Sequence, residues 1–220
     1  MRIALAAIAL AVGLTLSAPA AAQSDSGSRD EAYFALKLML GLAGDASVDY
    51  GNASSNDDLK LTYGGGLAYM VPLHRYFALG GQLAIQSWQT KGGDNLNTDR
   101  NVMGDLALVP QGRLPLTHDI ELYIALPLGL SLDILNGASY DLLGLGLVQF
   151  DADNALGFTV SLLFGARFAL SDNFGLLAEV GYTRHDFSHD VHAQALGVGA
   201  TVNGIDVTLE QVALNLGAFF

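Results

Sequence analysis

The densest group of side chains able to do chemistry lies between residues 185 and 192. It consists of His185, Asp186, Ser188, His189, Asp190 and His192. Imidazole and carboxylate groups at such close spacing can bind Zn²⁺ or Cu²⁺. In an extended segment His185 and His189 share a face, whereas His192 lies on the other face. This spacing matches no defined metal site, so we predict a solvated loop without metal and keep the three histidines only as weak metal candidates.

The same stretch contains Ser188, His189 and Asp190 as consecutive residues, which suggests a hydrolase. A nucleophile and its base must meet in space, and adjacency along the chain does not bring them together. We therefore predict no catalytic residue, no cofactor and no enzymatic activity.

A second group consists of charged residues placed singly within otherwise apolar segments. Its members are Lys37, Lys60, Asp105, Arg113, Glu121, Arg167 and Glu179. Whether these charged side chains face lipid or the interior depends on the strands in which they lie. The most regular of these predicted strands is Ile120–Leu132. There, every second residue is a large aliphatic for thirteen residues, which gives a strand one apolar face. Such a strand is about 43 Å long and, tilted by about 40°, covers about 33 Å, enough to cross the apolar core of a bilayer.

Seven further segments show the same alternation. With the first, they give eight predicted strands: Tyr33–Leu42, Leu59–Val71, Tyr76–Trp88, Val102–Leu114, Ile120–Leu132, Leu156–Phe168, Phe174–Thr183 and Asp206–Phe220. Long loops at 44–58, 89–100, 133–154 and 184–204 alternate with short turns at 72–75, 115–119 and 170–173. Long extracellular loops and short periplasmic turns are typical of a transmembrane β-barrel. We therefore predict an all-β, eight-stranded, antiparallel up-and-down barrel over residues 31–220.

Two other architectures fit the pattern less well. A ten-stranded barrel would use Leu142–Phe150 and Val191–Thr201 as extra strands. A soluble barrel such as a lipocalin would bury the aliphatic faces and expose the others, which are mostly Gly, Ala, Ser and Thr and would make a poor solvated surface. Pro110 and Pro127 lie inside predicted strands and each removes a ladder donor, so we expect an irregularity there.

The composition agrees with a membrane barrel. The chain is 51% hydrophobic and 15% charged, contains 26 glycines, and has no apolar run of about 20 residues after its N-terminal segment that would form a helical span. The net charge of −12 argues against a nucleic-acid partner. Because the chain has no cysteine, disulfides and thiol catalysis are excluded.

The N-terminal residues predict export. Arg2 precedes an apolar core, and Ala20, Ala21 and Ala22 form an A-x-A-type cleavage site, so residues 1–22 are predicted to be a signal peptide. Residues 23–30 are rich in Ser and Asp and are predicted to be a disordered lead-in.

The chain resembles the small bacterial outer-membrane β-barrel proteins of the OmpA/OmpX-type eight-stranded group. The resemblance rests on the export signal, the eight alternating segments, the three short turns and a last strand that ends in Phe220. It implies the cell outer membrane as the location, with outer-membrane lipid and lipopolysaccharide as partners. It also implies that Phe220, with Leu214 and Leu216, is a C-terminal signal read by the barrel-assembly machinery.

In a barrel, the seven charged residues would face a narrow lumen. Isolated buried charges are costly, so we expect them to pair and plug the barrel, with Arg113 and Glu121 as one pair. The alternative is a gated polar conduit. The functional prediction is a non-enzymatic outer-membrane protein that stabilises the envelope or presents its loops to partners. A porin-like transporter of a small solute or apolar molecule is the first alternative, and an envelope enzyme acting on lipid A is the second.

Overall fold

The computed structural model describes residues 31–220 apart from 51–52, 93–95, 99, 136–137, 142–146 and 196–197. The predicted signal peptide and lead-in, residues 1–30, lie outside the described residues. So do parts of the two segments proposed as extra strands of a ten-stranded barrel.

The described residues form thirteen strands: β1 (Tyr33–Tyr50), β2 (Ala53–Asp58), β3 (Thr62–His74), β4 (Phe77–Trp88), β5 (Leu96–Thr98), β6 (Asn101–Pro115), β7 (Ile120–Ala125), β8 (Leu128–Ile134), β9 (Ala138–Asp141), β10 (Leu147–Ala152), β11 (Ala155–Ser171), β12 (Phe174–Ala195) and β13 (Val198–Phe219). Within the described ranges, the chain contains no helix of the length and apolarity needed to cross a membrane.

The strands close into an antiparallel ring. The order around it is β1, β3, β4, β6, β7 with β8, β11, β12 and β13, and β13 returns to β1. β7 and β8 occupy one position because both pair with β6 and with β11. The described strands therefore form a wall of eight positions, which confirms the predicted barrel. β10 pairs with β9 and with the far part of β12 and does not enter this wall.

The break between β7 and β8 falls at Leu126 and Pro127. Pro127 has no N–H to donate, so the ladder continues through neighbouring groups instead. The Leu126 N–H donates to the Pro110 carbonyl at 3.0 Å, and the Ser161 N–H donates to the Pro127 carbonyl at 2.9 Å. The irregularity expected at Pro127 is present, whereas Pro110 lies within β6 opposite Leu79.

The two faces of the wall differ as the alternation predicted. Large apolar side chains on the outer face are exposed, for example Leu38 at 52%, Leu106 at 52% and Phe164 at 51%. Side chains on the inner face are buried and are often polar. An apolar outer wall around a polar interior is the arrangement of a barrel in lipid and the reverse of a soluble barrel.

The ring has two unlike ends. At the turn end, β3–β4, β6–β7 and β11–β12 are joined by short turns. At the other end β1, β12 and β13 run on past the wall, and β2, β5, β9 and β10 pair onto the same sheet. We call this second part the extension.

The extension corrects all four long-loop predictions, because residues 44–58, 89–100, 133–154 and 184–204 each contain strand residues. Two of the corrections come from strands of the wall that run on. Residues 44–50 continue β1 and pair with β2 and β13, where a long loop was predicted. Residues 184–195 continue β12 and pair with β13, again in place of a loop. Both segments lack the apolar outward face by which the other strands were recognised, because apolar residues such as Ala46 and Phe187 point inward and the outward residues are polar. The partners of residues 44–50 on β13 are also distant in sequence.

Candidate functional site

The lumen of the barrel holds buried charges next to the turn end, and Glu121 is the centre of this group. Its Oε2 accepts hydrogen bonds from Arg113 Nε at 3.0 Å and from Arg113 Nη2 at 2.8 Å. Arg167 Nη2 lies 2.8 Å from its Oε1. The Arg167 guanidinium also stacks on Tyr33, 4.2 Å from the ring centroid. One carboxylate therefore holds two guanidinium groups that come from different strands.

Glu179 is the centre of a second buried group. Its carboxylate accepts from Lys37 Nζ at 2.8 Å, from the Tyr123 hydroxyl at 2.8 Å and from Asn215 Nδ2 at 2.9 Å. Lys37 Nζ donates in addition to Gln82 Oε1 at 3.1 Å. The salt bridge links residues 142 positions apart, which only closure of the ring brings together.

The lumen beside these groups is apolar and filled. Buried side chains there include Tyr33, Ala35, Ala68, Met70, Ala78, Val109, Tyr123, Ala125, Leu163 and Leu177. An internal cavity between Lys37, Tyr123 and Glu179 has a volume of about 10 Å³. This is close to the smallest space that can hold one water molecule.

Toward the extension the lumen contains polar side chains from β6, β8 and β12. Ser131 donates to Asp105, and His185 Nε2 lies 3.3 Å from the other Asp105 oxygen. Farther on, Asp133 accepts from Trp88 Nε1 at 2.9 Å and lies 3.3 Å from His189 Nε2. The lumen is thus occupied by two carboxylate–imidazole pairs.

These contacts correct the prediction of a solvated loop at 184–204. His185 and His189 are 0% and 1% exposed, and the Phe187 ring lies between them. His192 differs, because its side chain is 48% exposed and its Nδ1 lies 3.0 Å from the Thr201 hydroxyl. The inward positions of β12 run at every second residue from Glu179 to His189, and extending that alternation past Thr183 would have placed both histidines inside.

The described residues of this segment form neither a metal-binding cluster nor a serine–histidine pair. In the part of the chain that the structure describes, no three His, Asp or Glu side chains come together in a way that would hold a metal ion. Ser188 is exposed while His189 is buried, because neighbouring strand residues point to opposite faces. Ser131 is inside, but it donates to a carboxylate and not to an imidazole.

Of the seven predicted lumen charges, Lys37, Asp105, Arg113, Glu121, Arg167 and Glu179 are buried in the lumen. The prediction for Lys60 was wrong. Lys60 is exposed and precedes β3, and the inward position at the start of that strand belongs to Thr62, which donates to Gln211 at 2.7 Å. The alternation that placed Lys60 inside does not hold across residues 59–61, where a buried Leu59 is followed by two exposed residues.

Several lumen residues were missed by sequence reasoning. They are Gln82, Gln86, Trp88, Tyr123, Ser131, Asp133, Gln211 and Asn215. Most occupy inward positions of predicted strands, so the alternation was their signal. Only the charged members of the lumen had been singled out, although uncharged donors complete the hydrogen bonding of the carboxylates.

His189 lies where the barrel meets the extension. Burial by itself lowers the pKa of His189, but the Asp133 carboxylate 3.3 Å from Nε2 and the Asp153 carbonyl 3.0 Å from Nδ1 raise it above its ordinary value of 6.5. The imidazole thus lies between two oxygen atoms that favour its charged form.

The C-terminal residues close the ring at the turn end. Phe220 and Phe34 exchange two backbone hydrogen bonds of 2.9 Å, and Phe220 and Leu216 are exposed on the outer face. Leu214 is half-buried on the same face. Their role as an assembly signal remains a prediction.

Comparison with known proteins agrees with this architecture. Residues 8–203 match the family described as outer membrane protein beta-barrel domain. No curated protein matches the chain.

Three solved structures illustrate the fold. The outer membrane protein OprG from Pseudomonas aeruginosa is 12% identical, with a TM-score of 0.58 over 88% of this chain and 96% of its own. The outer membrane protease OmpT from Escherichia coli is 9% identical, with a TM-score of 0.56 over 90% and 99%. The outer membrane protein AlkL is 16% identical, with a TM-score of 0.50 over 93% and 95%. At these identities the likeness concerns the fold alone. The match over most of the chain shows that this protein belongs to the outer-membrane β-barrel domain family.

Proposed function

We propose that this protein is a non-enzymatic, non-conducting barrel that anchors its extension in the outer membrane and presents it to the cell exterior. The observation that carries the proposal is the filled lumen. The barrel then serves as a membrane anchor, and the extension is the part available to partners.

The contacts in the lumen support the absence of a conduit. A passage would have to separate Lys37 from Glu179, and Glu121 from both Arg113 and Arg167. Breaking a buried ion pair costs about 3–5 kcal/mol when a charge is left without its partner. The cavity beside Glu179, of about 10 Å³, is too small for a solute. A pocket of about 70 Å³ at the turn end stops at Glu121 and Arg167.

The architecture of the extension supports a role in presentation. β1, β12 and β13 carry the sheet past the wall without a break in pairing apart from single bulges, so the extension continues the rigid barrel. Short turns at the opposite end fit the periplasmic side of an outer-membrane barrel, which supports an extension that faces the cell exterior.

Planar-bilayer conductance tests the proposal. We expect the wild-type chain to show no steady conductance in about 1 M KCl, where surface charges are screened. The matched control is the Lys37→Ala/Glu179→Ala double variant, which removes one ion pair and its volume together, so that no buried charge is left alone. If the double variant conducts and the wild type does not, the result supports a lumen blocked by the buried ion pair. Both proteins must also shift in gel mobility on boiling in SDS, which shows that both are folded.

Steady conductance of the wild-type chain would overturn the proposal in favour of a transporter. A lipid A modification that depends on the wild-type chain and is lost in Ser188→Ala or His189→Ala would overturn it in favour of an envelope enzyme.

A further inference from the structure

The outer wall has an apolar groove near the turn end, formed by β6, β7, β11 and β12. The groove has a volume of about 720 Å³. Its outer-face lining residues are Tyr76, Gly112, Leu114, Leu122, Ile124, Phe164, Ala166, Ala178 and Val180. Large aliphatic and aromatic side chains form its sides, and the small residues Gly112, Ala166 and Ala178 form its floor.

The floor is open and not filled by neighbouring side chains. A Cβ added at Gly112 would meet no heavy atom within 4 Å. Ala166 and Ala178 are cross-strand partners, so two small residues lie side by side. The outward pairs of β11 and β12 on either side, Phe164 with Val180 and Phe168 with Leu176, are large. A flexible hydrocarbon chain fits such a depression, because in lipid the gain comes from van der Waals contact with the groove.

A cationic group stands at the end of this groove. Tyr76, which lines the groove, lies in the β3–β4 turn, and its carbonyl accepts from the Arg113 N–H at 2.9 Å. The Arg75 guanidinium stacks on the Tyr76 ring, 4.6 Å from the centroid. On the same ring lies His74, at 5.6 Å between centroids, and His74 Nδ1 accepts from the Tyr76 N–H at 3.3 Å. The turn thus fixes Arg75 beside the groove.

The charge at this end of the barrel is unevenly distributed. The β6–β7 turn carries His118 paired with Asp119 at 3.1 Å, and the β11–β12 turn carries Asp172. Arg113 and Arg167 point into the lumen. An anionic head group at the turn end is therefore attracted to the β3–β4 turn and is repelled by the β11–β12 turn.

We propose that the groove binds one acyl chain of an anionic phospholipid and that Arg75 binds the phosphate of its head group. A guanidinium recognises phosphate through paired N–H donors, and stacking on Tyr76 reduces the freedom lost on binding. The occupant is a lipid of the leaflet next to the turn end, with its head at Arg75 and its chain on Gly112, Ala166 and Ala178.

Native mass spectrometry of the full chain, released from detergent with dioleoyl phosphatidylglycerol as the probe, tests the site. We expect the wild type to retain one lipid, which Arg75→Gln binds about tenfold more weakly because it loses one charge-assisted hydrogen bond. Gly112→Leu should also weaken binding, because its side chain occupies the floor of the groove. Gly81→Leu is the matched control, because Gly81 faces outward on β4, away from the groove, with its nearest Cβ contact at 3.9 Å. Arg184→Gln is a second control, because it removes one positive charge in the extension, far from the groove.

Equal retention by the wild type, Arg75→Gln and Gly112→Leu would overturn the proposal. So would a dimer that Gly112→Leu abolishes, because a second copy of the chain would then occupy the groove. Each variant must first shift in gel mobility on boiling, which separates loss of the lipid site from loss of the fold.

Discussion

Glu121 is a buried carboxylate that contacts two guanidinium groups. It is 2% exposed and is the shared counter-ion of Arg113 and Arg167. Removing its charge leaves two buried guanidinium groups without their counter-ion, whereas removing one arginine leaves an ion pair. The carboxylate is therefore the residue on which this group depends.

We expect Glu121→Gln to lower the free energy of unfolding by about 3–5 kcal/mol, because the substitution preserves volume and leaves buried positive charge uncompensated. Urea unfolding in phospholipid vesicles measures the loss. The control is Glu210→Gln, which breaks the Glu210–Arg184 pair at a partly exposed site and should cost no more than about 1 kcal/mol. Similar losses in the two variants would contradict the assigned role of Glu121.

At the scale of elements, inward glycines of the wall make room for large lumen side chains. Gly165 on β11 lies opposite Tyr123 on β7, and a Cβ at Gly165 would collide with the Tyr123 ring. Tyr123 is the group that donates to Glu179 at 2.8 Å. Because Gly165 has no side chain, the Tyr123 ring can lie against β11 and reach Glu179.

We expect Gly165→Ala to displace the Tyr123 ring and weaken its hydrogen bond to Glu179, with a loss of about 1–3 kcal/mol from overpacking. The urea midpoint and the near-ultraviolet circular dichroism of the folded protein report the two effects. Gly112→Ala makes the same chemical change on the outer face of β6, where the added Cβ meets open space, and should leave both unchanged. If Gly112→Ala were as harmful as Gly165→Ala, the effect would come from the backbone and not from Tyr123.

At the scale of the whole molecule, barrel and extension meet around His189. The residue lies on β12, its Nε2 is 3.3 Å from Asp133 on β8, and its Nδ1 is 3.0 Å from the carbonyl of Asp153, between β10 and β11. Asp153 in turn donates its N–H to the Asp190 carbonyl at 3.0 Å. One imidazole thus links three parts of the sheet.

The raised pKa of His189 makes this junction dependent on pH. A group whose folded-state pKa lies above its unfolded value of 6.5 adds stability that is complete below that value and is lost as the pH rises through the folded pKa. We expect the stability difference between wild type and His189→Gln to shrink as the pH rises through this range, and the NMR titration midpoint of His189 to lie above 6.5. Asp133→Asn should lower that midpoint, and an unchanged midpoint would show that Asp133 does not hold the proton.

The sequence by itself determined the wall of the barrel. Strand side chains alternate with period two, which is a local property, so segments such as Ile120–Leu132 revealed the strand, its lipid face and its lumen face without knowledge of any partner. The same alternation placed Lys37, Arg113, Glu121 and Glu179 on the inner face, and the short Pro115–Asp119 turn identified Arg113 and Glu121 as neighbours.

The tertiary structure decided what no local pattern contains. Closure of the ring brings Lys37 to Glu179 and Asp105 to His185, because these contacts depend on the register of strands that are far apart in sequence. Pairing across β1, β12 and β13 also turned the segments after Gly44 and Thr183 into strands, because the ladder joins backbone groups and does not require an apolar outward face. Local alternation selects the face of a strand, and only the closed sheet selects its partners.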